Sequence, residues 1–186
     1  DGTDCTKLCL FGLIPGAIRF EEAVARLKLH PLTAHFIQHL GGNNTVRSFG
    51  DGQATVIIYR TIKGDALSRV LFVPVPVGSR SLADQPTLGD FLRIFGPPSM
   101  IRFYSSNMAP ELVYPQERML VSVVGGIGVD PTPLHMSSYV STVSLATPES
   151  MEESFANFAS PQNITHWLGF AKMSIYVDAP RLPVYP

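Results

Sequence analysis

Charge is scarce in this sequence, and positive charge is nowhere concentrated. Charged residues make up 16% of the 186-residue chain, below the ~25% typical of globular domains. Fourteen basic residues against fifteen acidic ones leave a net charge of −1. With no Lys/Arg block there is no electrostatic basis for sequence-independent nucleic-acid binding or for polybasic docking to an anionic membrane. Long apolar runs are also missing. The longest, Val70–Val77 and Leu120–Val124, have strand length and fall well short of the ~20 residues of a spanning helix. No signal-peptide pattern opens the sequence at Asp1; a leader that was cleaved or that lies outside this sequence would leave the same start, so this is no argument for a cytoplasmic site.

Cysteine is nearly absent: there are two, Cys5 and Cys9. Oxidised, they would close a small loop worth at most about 2 kcal/mol by chain entropy, pinning the N-terminal arm without holding the domain together. Reduced, they are two ordinary thiols. Their spacing is too wide for a redox Cys-x-x-Cys motif, and a zinc site would need two more ligands than lie close in sequence.

Turn residues are abundant. Sixteen prolines and fifteen glycines punctuate a chain that is 45% hydrophobic, a texture of short strands and tight connections rather than disorder. Ile14-Pro15-Gly16 ends an irregular arm. Phe20–Leu29 then reads as a helix, with Phe20, Val24 and Leu27 on one face and Glu21 and Glu22 at its positive end. Pro31 breaks it, and Leu32–Leu40 reads as a second helix with Phe36, Ile37 and Leu40 as its apolar side, stopped by Gly41-Gly42.

Val46–Phe49, Gln53–Ile62 and Ala66–Val75 are rich in strand formers and are separated by Gly50-Asp51-Gly52 and Lys63-Gly64-Asp65. This predicts an antiparallel meander, with Pro74 and Pro76 finishing its third strand at an edge. Thr87 is placed to cap a helix over Leu88–Phe95, with Asp90 in the capping-box position and Gly96-Pro97-Pro98 as the stop. Strands are expected at Met100–Tyr104, Glu111–Tyr114, Met119–Val124 and Ser138–Ala146. A helix follows from Thr147-Pro148 to about Ala159, then a last strand at Ala171–Val177. The reading is a single α+β domain over 1–186, an antiparallel sheet with short helices packed mainly on one face. Residues 10–78 and 82–178 share a plan of turn, helix and meander and are read as related halves.

Two stretches resemble a known group. Cys5-Thr-Lys-Leu-Cys9-Leu-Phe-Gly-Leu-Ile-Pro-Gly16, with Phe20-Glu-Glu-Ala-Val24, is similar to the start of poorly characterised exported or lipid-anchored proteins of Chloroflexi-type bacteria, with Leu10 where that group carries tryptophan. Thr87-Leu-Gly-Asp-Phe-Leu-Arg-Ile-Phe-Gly-Pro-Pro98, Leu112-Val-Tyr-Pro115 and Met119-Leu-Val-Ser-Val123 look like its helix–Gly-x-Pro–strand core, and Trp167-Leu-Gly-Phe170 resembles its C-terminal tryptophan segment. More distantly the pattern is similar to small outer-membrane assembly lipoproteins and β-lactamase-inhibitory proteins. The resemblance implies an extracytoplasmic location, a lipid anchor upstream of Asp1, an envelope-associated protein partner, and no catalytic residue.

The sharpest chemical candidate is His35-Phe-Ile-Gln-His39, two imidazoles one helical turn apart if the segment is helical. A zincin would place glutamate where Phe36 stands, so surface histidines are the favoured reading and metal binding the alternative. Glu21 and Glu22 point about 100° apart on a helix and are poorly placed to share a proton. Gly125-Gly-Ile-Gly128 leads into Asp130-Pro131 rather than a helix and has no lysine nearby, so it reads as a hairpin and not a phosphate cradle. No Gly-x-Ser-x-Gly elbow or cofactor motif is present. Asn43-Asn44-Thr45 and Asn163-Ile164-Thr165 are glycosylation sequons, meaningful only in a glycosylating pathway. The expectation is therefore a non-catalytic interaction module without a cofactor. Its surface candidates are Tyr104, Asn107 and Met108 in one loop and Ile127 and Val129 in the other. A small-ligand carrier is a further alternative.

Overall fold

The computed structural model describes residues 9–31, 33, 37–40, 46–50, 54–62, 64–74, 85–103, 110–124, 134–158, 164–171, 176 and 179–180. The protein is α+β, with antiparallel strands and, among the described residues, three short helices. It divides into one unit comprising Asp1–Arg80 with Thr142–Ser150 and another comprising Ser81–Ser141 with Met151–Pro186.

The first unit contains α1 (Phe20–Leu29), β1 (Ile37–Leu40), β2 (Val46–Gly50), β3 (Ala54–Arg60), β4 (Leu67–Pro74) and most of β8 (Val140–Ala146), in the order β1-β2-β3-β4-β8. Each neighbouring pair is antiparallel. Residues of β3 and β4 directly opposite each other share a face, so Val56 with Phe72 and Ile58 with Val70 form one apolar side. Helix α1 lays its predicted stripe of Phe20, Val24 and Leu27, with Ala23, onto that side, and Leu13 completes the core.

Leu13 reaches the core through a tight turn in which Leu10 and Leu13 exchange both backbone hydrogen bonds, at 3.3 and 2.9 Å. Both central residues, Phe11 (φ 56°) and Gly12 (φ 72°), are left-handed. Glycine adopts this conformation freely and phenylalanine does not. Phe11 is held there by ring contacts with His30 (5.0 Å) and Phe72 (5.6 Å), and Arg26 Nη1 donates to the Gly12 carbonyl at 3.1 Å.

Two expectations for this unit are corrected. Ile37–Leu40 is a strand, not the second half of a helix, and pairs with β2 from Ile37↔Phe49 to Leu40↔Val46. Phe36, Ile37 and Leu40 fit a short helical stripe, but pairing with the next strand, β2, decides the conformation. Gly41-Gly42-Asn43-Asn44 then separates two paired strands, a role such residues suit as well as a helix stop. Strand β4 is also not an edge. It pairs with β3 along its length and with β8 over Arg69–Phe72, and Pro74 lies beyond the β8 pairing, where its missing N–H costs nothing on that side.

The second unit contains α2 (Leu88–Phe95), β5 (Met100–Phe103), β6 (Pro110–Tyr114), β7 (Met119–Val123), most of α3 (Pro148–Phe158) and β9 (Ile164–His166), with strands in the order β7-β6-β5-β9. The last strand expected at Ala171–Val177 is not found among its described residues, since Ala171 is outside any strand and Tyr176 is helical. The strand that pairs with β5 is instead Ile164–His166. Two of its three residues are the β-branched Ile164 and Thr165, which in the sequence stand out only as part of a sequon.

Strand β6 is buried along its whole length, so both faces of this sheet are covered and its strands carry near-continuous apolar runs instead of clean alternation. Register places Arg102, Glu111 and Ser122 on one face. Ile101, Leu112 and Val121 lie on the other, together with Phe103, Tyr114 and Val123.

Helix α2 begins as the sequence predicts. Thr87 Oγ1 accepts from the Asp90 amide at 3.3 Å and the Asp90 carboxylate accepts from the Thr87 amide at 3.0 Å, completing a capping box. The Leu88 and Gly89 amides donate to the carbonyls of Ser138 and Met136, each at 2.7 Å. A Cβ on Gly89 would lie 3.0 Å from that Met136 oxygen, which explains the glycine.

The Thr87 hydroxyl and amide, then the Arg93 guanidinium, hold the Asp90 carboxyl below its ordinary value of 3.8. A carboxylate whose folded pKa is depressed contributes stability above its unfolded pKa and loses it as pH falls through the folded value. Asp90→Asn should therefore flatten the acid limb of the stability–pH profile below about pH 4, as read by urea unfolding at successive pH values. Thr87→Ala should cost about 1 kcal/mol at neutral pH.

Candidate functional site

The surface residues proposed from sequence, Tyr104, Asn107, Met108, Ile127 and Val129, lie outside the described residues, as do Cys5 and His35. His39 is on strand β1, opposite Arg47. The one-turn helical spacing that would have let it share a metal with His35 does not apply. Among the described residues no group of three His, Cys, Asp or Glu side chains is arranged to hold a metal ion. Cys9 is disulfide-bonded, and the sequence holds one other cysteine, Cys5. No helix of the described residues is long and apolar enough to cross a membrane.

Most exposed large apolar side chains, such as Leu29, Ile62 and Ile94, stand far apart in sequence and are ordinary surface features. Leu168 and Phe170 are different, because two exposed apolar residues flank one turn and the turn is fixed from below. Leu168 is 47% and Phe170 43% exposed. Between them Gly169 takes φ +77°, and a Cβ there would meet nothing within 4 Å, so backbone conformation rather than space requires the glycine.

Tyr176, fully buried, supports the turn with its hydroxyl. The O–H donates to the Gly169 carbonyl at 2.5 Å and accepts from the Leu168 amide at 3.1 Å. Burial raises the Tyr176 pKa, opposed by the Leu168 hydrogen bond, so the phenol stays protonated and able to donate at neutral pH. Its ring packs on Phe103 (5.6 Å) and Trp167 (6.1 Å). Trp167 in turn meets Phe170 edge-on at 5.8 Å and 81°, and its backbone N–H donates to the Ser99 carbonyl at 3.2 Å. Phe170 is thus exposed yet oriented, with little side-chain freedom left to lose on contact with a partner.

The same unit contains a buried charge pair that no sequence motif announces. Arg102, 1% exposed, pairs with Glu111, 5% exposed. Arg102 Nη1 also donates to the Ser154 carbonyl at 3.2 Å, and its guanidinium lies 4.8 Å from the centre of the Phe155 ring. Ser122 Oγ donates to Glu111 Oε1 at 3.2 Å. Register brings the two charges opposite each other (Arg102↔Glu111). A charged residue within each of two otherwise apolar strands is the signal that could have found them. Neither group has the exposure that chemistry on a substrate requires; the pair packs against Ser154 and Phe155 on the sheet face opposite Phe103.

No family model matches the chain, and no curated protein matches it. It is similar to two solved structures. One is a DUF4309 family protein from Bacillus subtilis, with 14% identity over 76% of this chain and 88% of that one and a TM-score of 0.48. The other is a cysteine-rich secretory protein from Staphylococcus aureus, with 8% identity over 83% of this chain and 52% of that one and a TM-score of 0.38.

Proposed function

We propose that the chain is a non-catalytic, extracytoplasmic protein-interaction module, an accessory subunit of a cell-envelope complex, which contacts its partner through the Trp167–Phe170 turn. The observation that carries this reading is the pairing of exposed Leu168 and Phe170 on a turn whose backbone is fixed by a buried tyrosine hydroxyl. Rigid aromatic anchors that cost little entropy to immobilise are the usual centre of a protein contact. Export is supported by the disulfide at Cys9, since such bonds persist mainly in oxidising compartments.

The test compares the wild-type chain with Leu168→Ser/Phe170→Ser as bait against the envelope fraction of the source cells. Both side chains are substantially exposed, so the variant should keep its thermal midpoint while losing at least about tenfold in partner retention, the scale of removing a hot-spot pair. Full retention by a folded variant would remove the turn from the interface.

A further inference from the structure

Strands β3, β4 and β8 have a second face, opposite the one covered by α1. It carries Ile57 and Leu71 directly across from each other, Tyr59 across from Arg69, Ala146 across from Arg69 on the other side, and Ser144 across from Leu71. Burial changes sharply along this face. On β8, Ser144 and Ala146 are 4% and 2% exposed, whereas Ile57, Tyr59, Arg69 and Leu71 are only half-buried. Arg69 therefore stands at a step between a covered and an accessible part of the sheet, with apolar side chains on both sides.

Its state is unusual for this protein. Arg60 and Arg102, the other described arginines of comparable or greater burial, are each paired with a carboxylate, Glu21 and Glu111 respectively. Arg69 makes no ion pair among the described residues; its buried Nε has no hydrogen-bond partner, a condition it shares with Arg60, so the missing counter-charge is what sets it apart. Diagonally across on the same face, the buried Ser144 Oγ also has no hydrogen-bond partner. Diagonal neighbours on a sheet lie about 7–8 Å apart at Cα, within reach of a long side chain. The described residues of this face include a guanidinium, a phenol and a hydroxyl but no acidic side chain. A half-buried guanidinium without a counter-charge gains free energy from a carboxylate that pairs with it.

We propose that this face binds a peptide segment carrying a carboxylate between apolar side chains. The carboxylate meets the terminal guanidinium nitrogens of Arg69 and the Tyr59 hydroxyl, and its apolar neighbours lie on Ile57 and Leu71. A planar guanidinium fork suits a carboxylate, and a flat apolar sheet face suits an extended peptide better than a small ligand, which favours a concavity. This surface belongs to the first unit and does not depend on the Trp167 turn.

The experiment is an amide NMR titration of the full chain with three blocked tripeptides, having glutamate, glutamine or lysine between two leucines. The glutamate peptide should shift the amides of Ile57, Arg69 and Ser144 saturably. The glutamine peptide, and the glutamate peptide on Arg69→Leu, should bind at least about tenfold more weakly, the scale of a lost charge-assisted hydrogen bond. Arg69→Lys, which keeps the charge and removes the fork, should fall between them and serves if Arg69→Leu does not fold. Equal binding of the glutamate and glutamine peptides, or no loss in either arginine variant, would overturn the proposal. Hexanoate binding as tightly as the glutamate peptide would overturn its peptide component.

Discussion

Glu111→Leu is expected to destabilise the protein by about 3–5 kcal/mol, because it leaves the Arg102 guanidinium buried without its counter-charge. The wild-type pair is enclosed by Phe155 on one side and by the Ser154 carbonyl and Ser122 hydroxyl on others. Removing the carboxylate loses the Coulombic partner while the desolvation of Arg102 persists, so the cost exceeds that of an ordinary hydrogen bond. The double variant Arg102→Met/Glu111→Leu separates this from simple loss of volume. With neither charge present, most of the stability should return, since apolar pairs of similar size often replace buried ion pairs at no net cost. Urea unfolding of the two single variants and the double variant gives the coupling directly. A Glu111→Leu loss below about 1 kcal/mol would show that water reaches Arg102 in the native protein.

Phe20→Ala should cost a similar amount, about 3–5 kcal/mol, for a different reason. Phe20 is fully buried at the start of α1, among Leu13, Leu27, Ile58 and Leu67, and the Arg60 guanidinium lies 4.7 Å above its ring. Truncation opens a cavity in a small core and takes away the surface on which Arg60 rests. The Phe20 amide would still donate to the Asp65 carbonyl, at 2.7 Å in the wild type, and Arg60 would keep its ion pair with Glu21, at 2.5 Å. Phe20→Leu should recover more than half of the loss by refilling the volume. Equal destabilisation by Ala and Leu in thermal or urea unfolding would mean that the arginine–ring contact, and not the cavity, dominates.

The elements legible in the sequence are those whose signals are local. Helices α1 and α2 occupy the predicted residues, because each has an apolar stripe at helical spacing together with its own boundaries: Pro31 beyond one, and Thr87 and Gly96-Pro97-Pro98 around the other. The β3–β4 and β6–β7 pairs are visible from strand formers flanking short turns. What cannot be read depends on a pairing partner outside the element itself. Phe36, Ile37 and Leu40 satisfy a helical period, and only pairing with β2 makes Ile37–Leu40 a strand. Ile164–His166 is too short to declare itself and exists through β5.

The same holds for the candidate site. Trp167-Leu-Gly-Phe170 stands out in the sequence, but the hydroxyl that shapes it comes from Tyr176, which lies in a predicted strand. Arg102 and Glu111 are nine positions apart and meet only through the register of one hairpin.

The start of helix α2 has a consequence for ligand screening. Free amides at the beginning of a helix commonly hold phosphates and other anions. Here the Leu88 and Gly89 amides are already engaged by the Ser138 and Met136 carbonyls, the Asp90 amide turns to Thr87 Oγ1, and the Asp90 carboxylate adds negative charge. Nucleotides, sugar phosphates and phosphorylated peptides should therefore find no foothold there, leaving this helix silent in a library of anionic metabolites.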